Sequence, residues 1–156
     1  MEETNQDNPY NLPVSLTTLG ECAFQNCTGI TRVCLPEGVT VVPRYAFNGC
    51  TKLNGVVLSK QTATTEDMPL AGTALTGISL LATVTSLGDN VFHNCSELIG
   101  VQSYPATAPT ITATTFSHDK GTIKEQCRLF VLPTASSAYD SWKNYFKAVV
   151  ADLTVQ

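Results

Sequence analysis

The sequence lacks any concentration of positive charge. Its nine lysine and arginine residues are scattered and are outnumbered by thirteen aspartate and glutamate residues, giving a formal net charge of -4. Proteins that bind nucleic acid or anionic membranes need a basic stripe to neutralise phosphates. The charge balance therefore argues against nucleic acid and against an anionic membrane surface as partners.

Long hydrophobic runs are absent as well. No apolar stretch approaches the roughly 18 residues that a membrane-spanning helix requires, so we expect no membrane insertion by this chain. Residues 1–13 carry Glu2, Glu3 and Asp7 without the basic start and apolar centre of a secretory signal. We expect these residues to form a flexible tail.

The hydrophobic content of 43% suffices for one continuous core in a 156-residue chain.

Residues arranged for catalysis or metal binding are scarce. The two histidines, His93 and His118, stand in no H-x-x-x-H motif and beside no C-x-x-C pair. A cysteine hydrolase needs a Cys, a His and an orienting Asn or Asp that converge, whereas Cys95 falls at a position that we assign to the core. Acids such as Glu66 and Asp89 are isolated in expected turns. We therefore expect no enzymatic activity, no cofactor and no metal.

The sequence does contain one phrase three times, as AFQNCTGI at 23–30, AFNGCTKL at 46–53 and VFHNCSEL at 91–98. A degraded copy, PLAGTAL, occupies 69–75. Five anchor residues mark the repeats: Phe24, Phe47, Leu70, Phe92 and Phe116. The steps between successive anchors are 23, 23, 22 and 24 residues, within the period range of leucine-rich repeats.

Each repeat unit follows the pattern L-x-x-L-G-x-x-A-F-x-x-C-x-x-L-x-x-V-x-L. A unit this short cannot bury its own apolar side, but stacked copies share one core. The alternating V-x-L end predicts a short strand that pairs in parallel with the next copy. The pattern predicts an α/β repeat solenoid over residues 14–133, with a right-handed coil of about five repeats and the anchors as an internal spine.

Residues 134–156 have a different pattern. Tyr139, Trp142, Phe146 and Val149 or Val150 are spaced by three and four residues, which predicts one face of a helix near 136–150. Repeat arrays need an atypical last unit that closes the exposed core. We interpret this segment as a C-terminal capping helix and tail, with Trp142 as a plug over the last coil.

The six cysteines allow two interpretations. In an exported chain they could form three disulfides. Three of them share one repeat position: Cys27, Cys50 and Cys95. Thr73 replaces the cysteine in the third unit, which favours small buried free thiols at this position. The other three lie outside the pattern, and their state stays open: Cys22, Cys34 and Cys127.

The phrase A-F-x-x-C-x-x-L followed by V-x-L-P resembles the BspA-like leucine-rich repeat family of bacterial surface proteins, over residues 16–116. PLAGTAL is similar to that family's shorter A-F-x-G-T-x-L repeat, and CRLFVLPTASSAYDSWKNYF (127–146) is similar to its closing pattern. The resemblance implies an extracellular or cell-surface location and a non-catalytic role in binding or adhesion. The alternative is an accessory or binding domain of a glycan- or cell-wall-directed enzyme. The partner would be a protein or glycan ligand, whose identity the sequence leaves open.

Strand alternation predicts where a ligand binds. If Ile30, Val33 and Leu35 point inward, the residues between them point outward and stack across coils. Two outward ladders result: Arg32, Gly55, Gly77, Gly100 and Arg128, and Cys34, Val57, Ser79, Gln102 and Phe130. The first ladder predicts a shallow trough between two arginines, suited to an extended or acidic ligand. The alternative is that the glycines only permit tight stacking.

Overall fold

The computed structural model of the chain describes residues 10–117 and 123–155. Its strands, in chain order, are β1 (Tyr10–Asn11), β2 (Arg32–Cys34), β3 (Val41–Val42), β4 (Gly55–Val57), β5 (Thr64–Thr65), β6 (Gly77–Leu80), β7 (Ser86–Leu87), β8 (Gly100–Ser103), β9 (Arg128–Val131) and β10 (Ala148–Val150). One α-helical turn, α1, covers Ile123–Gln126, and a 3-10 helix covers Pro133–Tyr145, with a kink at Tyr139, whose φ and ψ are non-helical.

The strands form three parallel sheets, in the orders β1-β2-β4, β10-β9-β8-β6 and β3-β5-β7. Val33 of β2 lies opposite Val56 of β4, and Ile78 of β6 lies opposite Val101 of β8. Each of these pairs is separated by one repeat of the sequence. Successive repeats therefore place their V-x-L segments side by side, as the leucine-rich repeat pattern predicts.

The V-x-L segments form strands because alternate residues face the core. Val33, Val101 and Leu129 are almost fully buried. Leu35, directly after β2, and Leu80, the last residue of β6, are buried as well. Burial of each such side chain contributes roughly 1.5–3 kcal/mol, which favours the extended backbone that turns these residues inward.

The anchor residues lie along the centre of the core. The rings of Phe24 and Phe47 stack at 5.4 Å between centroids, and those of Phe92 and Phe116 stack at 5.6 Å. Leu70, which stands at the anchor position of the third repeat, is 1% exposed. Four of the anchors are thus buried as the repeat predicts, and Phe24 is half-buried at the N-terminal end of the series.

Each A-F-x-x-C segment is a tight turn with two residues in the left-handed backbone region, four residues apart. The first positions are Cys22, Tyr45, Met68 and Asn90, and the second are Asn26, Gly49, Gly72 and Asn94. Asn and Gly adopt positive φ most easily, which accounts for the second set. Backbone hydrogen bonds join successive turns, as from Phe24 N to Ala46 O and from Phe47 N to Pro69 O, both 2.8 Å.

Both ends of the described chain differ from the sequence-based expectation. The helix expected over 136–150 is a 3-10 helix that ends at Tyr145, and Val149 and Val150 belong instead to β10, which pairs with β9. Residues with branched β-carbons suit a strand, and without β10 the backbone of β9 would be an open edge. At the other end, Tyr10–Asn11 pairs with β2 although a flexible tail was expected to residue 13. Residues 1–9 lie outside the described residues.

Candidate ligand-binding groove

The first predicted ladder lies on the outer face of the V-x-L strands. Arg32 lies opposite Gly55, and Gly100 lies between Gly77 on one side and Arg128 on the other. The last strand therefore aligns with the repeat strands, although 28 residues separate Gly100 from its partner Arg128.

The second ladder follows the same registers. Cys34 lies opposite Val57, and Gln102 lies between Ser79 and Phe130. Val57 is 44% exposed, and Ser79 Oγ donates a hydrogen bond of 2.8 Å to Gln102 Oε1. The outward orientation that strand alternation predicts is thus present in these strands.

The ladders are interrupted between β4 and β6, which belong to different sheets. The parallel pairing expected between successive repeat strands is absent at this point. Val56 and Ile78 stand at equivalent repeat positions but are 22 residues apart, whereas Val33 and Val56 pair at 23. The break therefore coincides with the one short step of the repeat. Beside it, Val56 and Ile78 are 7% and 6% exposed, against 0% for Val101.

A groove of about 520 Å³ lies over this break. Its lining includes five of the seven predicted ligand-face residues: Arg32, Val57, Ser79, Gln102 and Phe130. Its floor includes the three ladder glycines: Gly55, Gly77 and Gly100. Cys34 and Arg128 do not line it. Asn54 and Thr76, which the sequence analysis did not select, contribute further polar side chains to the lining. Asn54 directly precedes β4 and Thr76 directly precedes β6, and these positions could have indicated that they belong to the groove.

The side chains of Arg32 and Phe130 lie against the two ends of the glycine floor. A Cβ atom added at Gly55 would lie 3.5 Å from Arg32 Nη1, and one added at Gly100 would lie 3.6 Å from Phe130 Cε2. At Gly77, in the middle, the added atom would meet only Gly100 O, at 3.5 Å. The floor is therefore bare between an arginine and an aromatic ring.

Tight stacking does not require these three glycines. Added Cβ atoms there would come no closer than 3.4 Å to another residue, which is ordinary van der Waals contact. By contrast, an added Cβ at Gly88 would lie 2.6 Å from the backbone of Glu66, so packing does require a glycine at that position. Backbone packing therefore leaves room for a Cβ at all three positions, which favours the trough over the explanation that the glycines only permit tight stacking.

Arg32 carries the only formal charge among the side chains that line the groove. Its Nε is buried without a hydrogen-bond partner among the described residues. A buried polar group without a partner costs roughly 1–3 kcal/mol, and more when it is charged. The positive charge of Arg32, which lines the groove, therefore has no compensating carboxylate among the described residues.

The three buried cysteines, Cys50, Cys95 and Cys127, offer no reactive nucleophile. All six are free thiols in the structure. Burial raises the pKa of Cys50 and of Cys95, and it raises the pKa of Cys127 to about 12, so these groups stay protonated near neutral pH.

The thiols at the repeat position act as hydrogen-bond donors. Cys50 Sγ donates to Phe24 O at 3.0 Å, and Cys95 Sγ donates to Leu70 O at 3.1 Å. Thr73 Oγ1 also donates to Leu70 O, at 2.9 Å. This donor role was missed by sequence reasoning, although the exchange of Cys for Thr at this position was the signal for it.

The described residues contain no group of three or more His, Cys, Asp or Glu side chains placed to hold a metal ion. His93 is half-buried in a turn, and His118 lies outside the described residues. Within the same part of the chain, no helix is long and apolar enough to cross a membrane.

Several solved structures are similar to this chain. A leucine-rich cell surface protein from Faecalibacterium prausnitzii matches with a TM-score of 0.53 and 21% identity, over 83% of this chain and 40% of that protein. The pneumococcal vaccine antigen PcpA matches with a TM-score of 0.67 and 16% identity, over 96% of this chain and 42% of that protein. A leucine-rich repeat protein from Bacteroides ovatus matches with a TM-score of 0.55 and 14% identity, over 89% of this chain and 50% of that protein. At these identities the likeness shows the fold alone, and the chain spans half or less of the length of each.

No curated protein matches the chain. The family model described as the BspA type leucine rich repeat region matches residues 3–122, in six copies. The six copies are one more than the five anchors indicate, and the matched region begins before the first anchor, Phe24. The match covers most of the chain, which therefore belongs to the BspA-type leucine-rich repeat family.

Proposed function

We propose that this chain is a non-catalytic binding module of a secreted or surface-displayed bacterial protein, and that the groove over β4 and β6 is its ligand site. The observation that carries the proposal is the bare glycine floor, which packing does not require, between Arg32 and Phe130. Two proteins of similar structure, a leucine-rich cell surface protein and a vaccine antigen, support the location. A role in adhesion is part of the proposal.

The scaffold that we propose is a right-handed solenoid whose coils are the repeats, closed at its C-terminal end by the 3-10 helix. Parallel registers that are one repeat apart support the solenoid. The contact of Phe116 with Trp142, at 5.3 Å between ring centroids, supports the closing role. A rigid stack of this kind holds the groove residues at fixed separations, which lowers the entropy that a ligand loses on binding.

Simultaneous replacement of Arg32, Gln102 and Arg128 by Ala tests the sheet face, and replacement of Arg32 and Gln102 alone tests the groove, which Arg128 does not line. We expect loss of binding to bacterial or host cells, to host proteins or to arrayed glycans, whichever the unmodified protein binds. The free energy of unfolding should not fall by more than about 1 kcal/mol, because Gln102 and Arg128 are exposed and the buried Nε of Arg32 has no partner to lose among the described residues. The measurements are cell and array binding with the purified protein, together with thermal unfolding.

Arg44→Ala is the matched control. Arg44 is also exposed and pairs with Asp67 at 3.3 Å, but it lies outside the groove, in the turns near Glu66. The control should bind as the unmodified protein does. If the triple variant keeps full binding, the sheet face is not the site, and the turns around Glu66 and His93 become the next candidates.

A further inference from the structure

The groove combines one cation with neutral polar and aromatic groups. Besides Arg32, its polar side chains are the amides of Asn54 and Gln102 and the hydroxyl groups of Thr76 and Ser79. The protein as a whole has a net charge of -4, yet Arg32 forms no ion pair among the described residues. An arginine that has no carboxylate partner among the described residues can bind a ligand carboxylate through two parallel hydrogen bonds.

The floor has the size of a small ring system. Paired strands lie about 4.8 Å apart, which separates Gly77 from Gly100, and the unpaired β4 and β6 approach to within 8 Å between Cα atoms, so the three glycines span roughly 13 Å or less. Phe130 stands at one end of this span and Arg32 at the other. The volume of about 520 Å³ lies within the range of sites that hold small ligands, which is roughly 300–1,000 Å³.

An extended peptide does not fit this floor well. Peptides commonly bind to sheets by adding a strand to a free edge. Strands β4 and β6 approach to within 8 Å between Cα atoms. An inserted strand would require them to be about 9.6 Å apart, twice the usual strand spacing. A peptide over the groove would therefore have no backbone ladder to join.

We infer that the groove binds a glycan segment that carries a carboxylate, such as a uronic acid or sialic acid residue; this inference rests on the proposed function. The carboxylate lies at Arg32. A sugar ring lies on the glycine floor, where its hydroxyl groups bond the amide and hydroxyl groups of Gln102, Asn54 and Thr76. The C–H face of the sugar contacts the Phe130 ring, whose face is electronegative.

The test uses two pairs of probes that differ in charge: trigalacturonate with its methyl ester, and 3′-sialyllactose with lactose. Binding is measured by calorimetry and by amide chemical shifts in 15N-labelled protein. At least one acidic probe should bind roughly tenfold or more tightly than its neutral counterpart, as expected for hydrogen bonds to a charged group. Shifts should centre on Gly55, Gly77 and Gly100, and added salt should weaken the binding.

Two variants and two controls localise the site. Arg32→Gln should reduce the affinity for the acidic probe to that for the neutral one, while Arg44→Gln leaves it unchanged. Gly77→Val places a branched side chain on the bare floor and should weaken binding of both probes, whereas Gly20→Val should not, since no atom lies within 4 Å of its added Cβ. Gly77→Ala provides a milder block if the valine variant melts at a lower temperature.

Equal affinity for the acidic and neutral members of both pairs would overturn the inference. Acidic binding that Arg32→Gln does not reduce, or the absence of shifts in the groove with every acidic probe, would also overturn it. If Gly77→Val then still abolishes binding to cells or to a host protein, the groove remains the ligand site and only the ligand class is wrong. If Gly77→Val and the triple alanine variant both leave cell binding intact, the proposed function itself fails.

Discussion

At the scale of the residue, a threonine hydroxyl group has opposite effects on stability at two core positions of the third repeat. Thr62 and Thr65 are 0% and 6% exposed, at positions that are aliphatic in the adjacent repeats. Thr62 Oγ1 accepts a hydrogen bond from Ser59 N at 3.1 Å and donates one to Val39 O at 3.2 Å. Thr65 Oγ1 is buried and has no partner among the described residues. Environment, rather than residue type, therefore decides what each hydroxyl group contributes.

We expect Thr65→Val to raise the free energy of unfolding by about 1–2 kcal/mol, because it replaces an unsatisfied buried hydroxyl with a methyl group of similar size. Thr62→Val should lower it by about 1–3 kcal/mol, because it leaves Ser59 N and Val39 O without this partner. Urea denaturation of both variants measures the difference. Changes of the same sign in the two variants would contradict this account.

The burial of the thiols predicts their order of reaction. A thiol-alkylating reagent should modify the exposed Cys22 in the folded protein at neutral pH, and it should leave Cys50, Cys95 and Cys127 unmodified. Burial raises the pKa of each of these three, which removes the reactive thiolate. After denaturation without reductant, all six should react. Mass spectrometry of the peptides gives the result, and an unmodified Cys50 or Cys95 after denaturation would mean that it is disulfide-bonded.

At the scale of the element, the sequence predicted those segments whose period is set by burial alone. The V-x-L strands were predicted because their inward residues alternate without exception. The 3-10 helix was predicted as an α-helix because residues i and i+3 lie close together in both types of helix. In the structure Tyr139 and Trp142 pack at 5.0 Å between ring centroids, and the three-residue spacing continues to Tyr145. Strand β10 was missed because Val149 and Val150 also fit the helical face, and only the open edge of β9 decides between the two.

The candidate groove was predictable in part for similar reasons. Its residues follow from strand alternation and from the 23-residue period, which together determine the ladders. The break between β4 and β6 was not predicted, because a step one residue shorter does not reveal by itself whether strand pairing continues. The lean of Arg32 and Phe130 over the glycines depends on side-chain rotamers, which no sequence period encodes.

The turns give a graded prediction for glycine substitutions. Gly49 has φ +74°, and an added Cβ would overlap Asn26 Oδ1. Gly72 has φ +72°, but its nearest neighbour would lie 3.7 Å away. Gly72→Ala should therefore cost about 1–2 kcal/mol for the left-handed backbone alone, and Gly49→Ala should cost more. Gly20→Ala, which meets no atom within 4 Å, should change stability by about 0.5 kcal/mol or less. Equal losses at Gly49 and Gly72, measured by denaturation, would contradict this ranking.

At the scale of the whole molecule, aromatic side chains from the C-terminal segment pack against the last anchor residue, Phe116. Phe116 contacts Trp142 and Phe146 at centroid distances of 5.3 and 4.8 Å. Tyr139 Oη donates to Pro105 O at 2.8 Å and lies 2.8 Å from Ser103 Oγ, so Ser103 is the donor in their hydrogen bond. The 3-10 helix is thus joined to the β8 region by polar bonds as well as by ring contacts.

Deletion of residues 134–156 should expose the core beside Phe116. Phe116 and the last strands would lose the cover of Tyr139, Trp142 and Phe146, and an exposed apolar patch of this kind promotes association. We expect aggregation at micromolar concentration, measured by light scattering after size-exclusion chromatography. A shorter deletion, of residues 148–156, removes β10 but keeps the three aromatic side chains. It should lower the melting temperature while leaving the protein largely monomeric, which separates the open edge of β9 from the bare core. A soluble 134–156 deletion with an unchanged melting temperature would show that the 3-10 helix does not close the core.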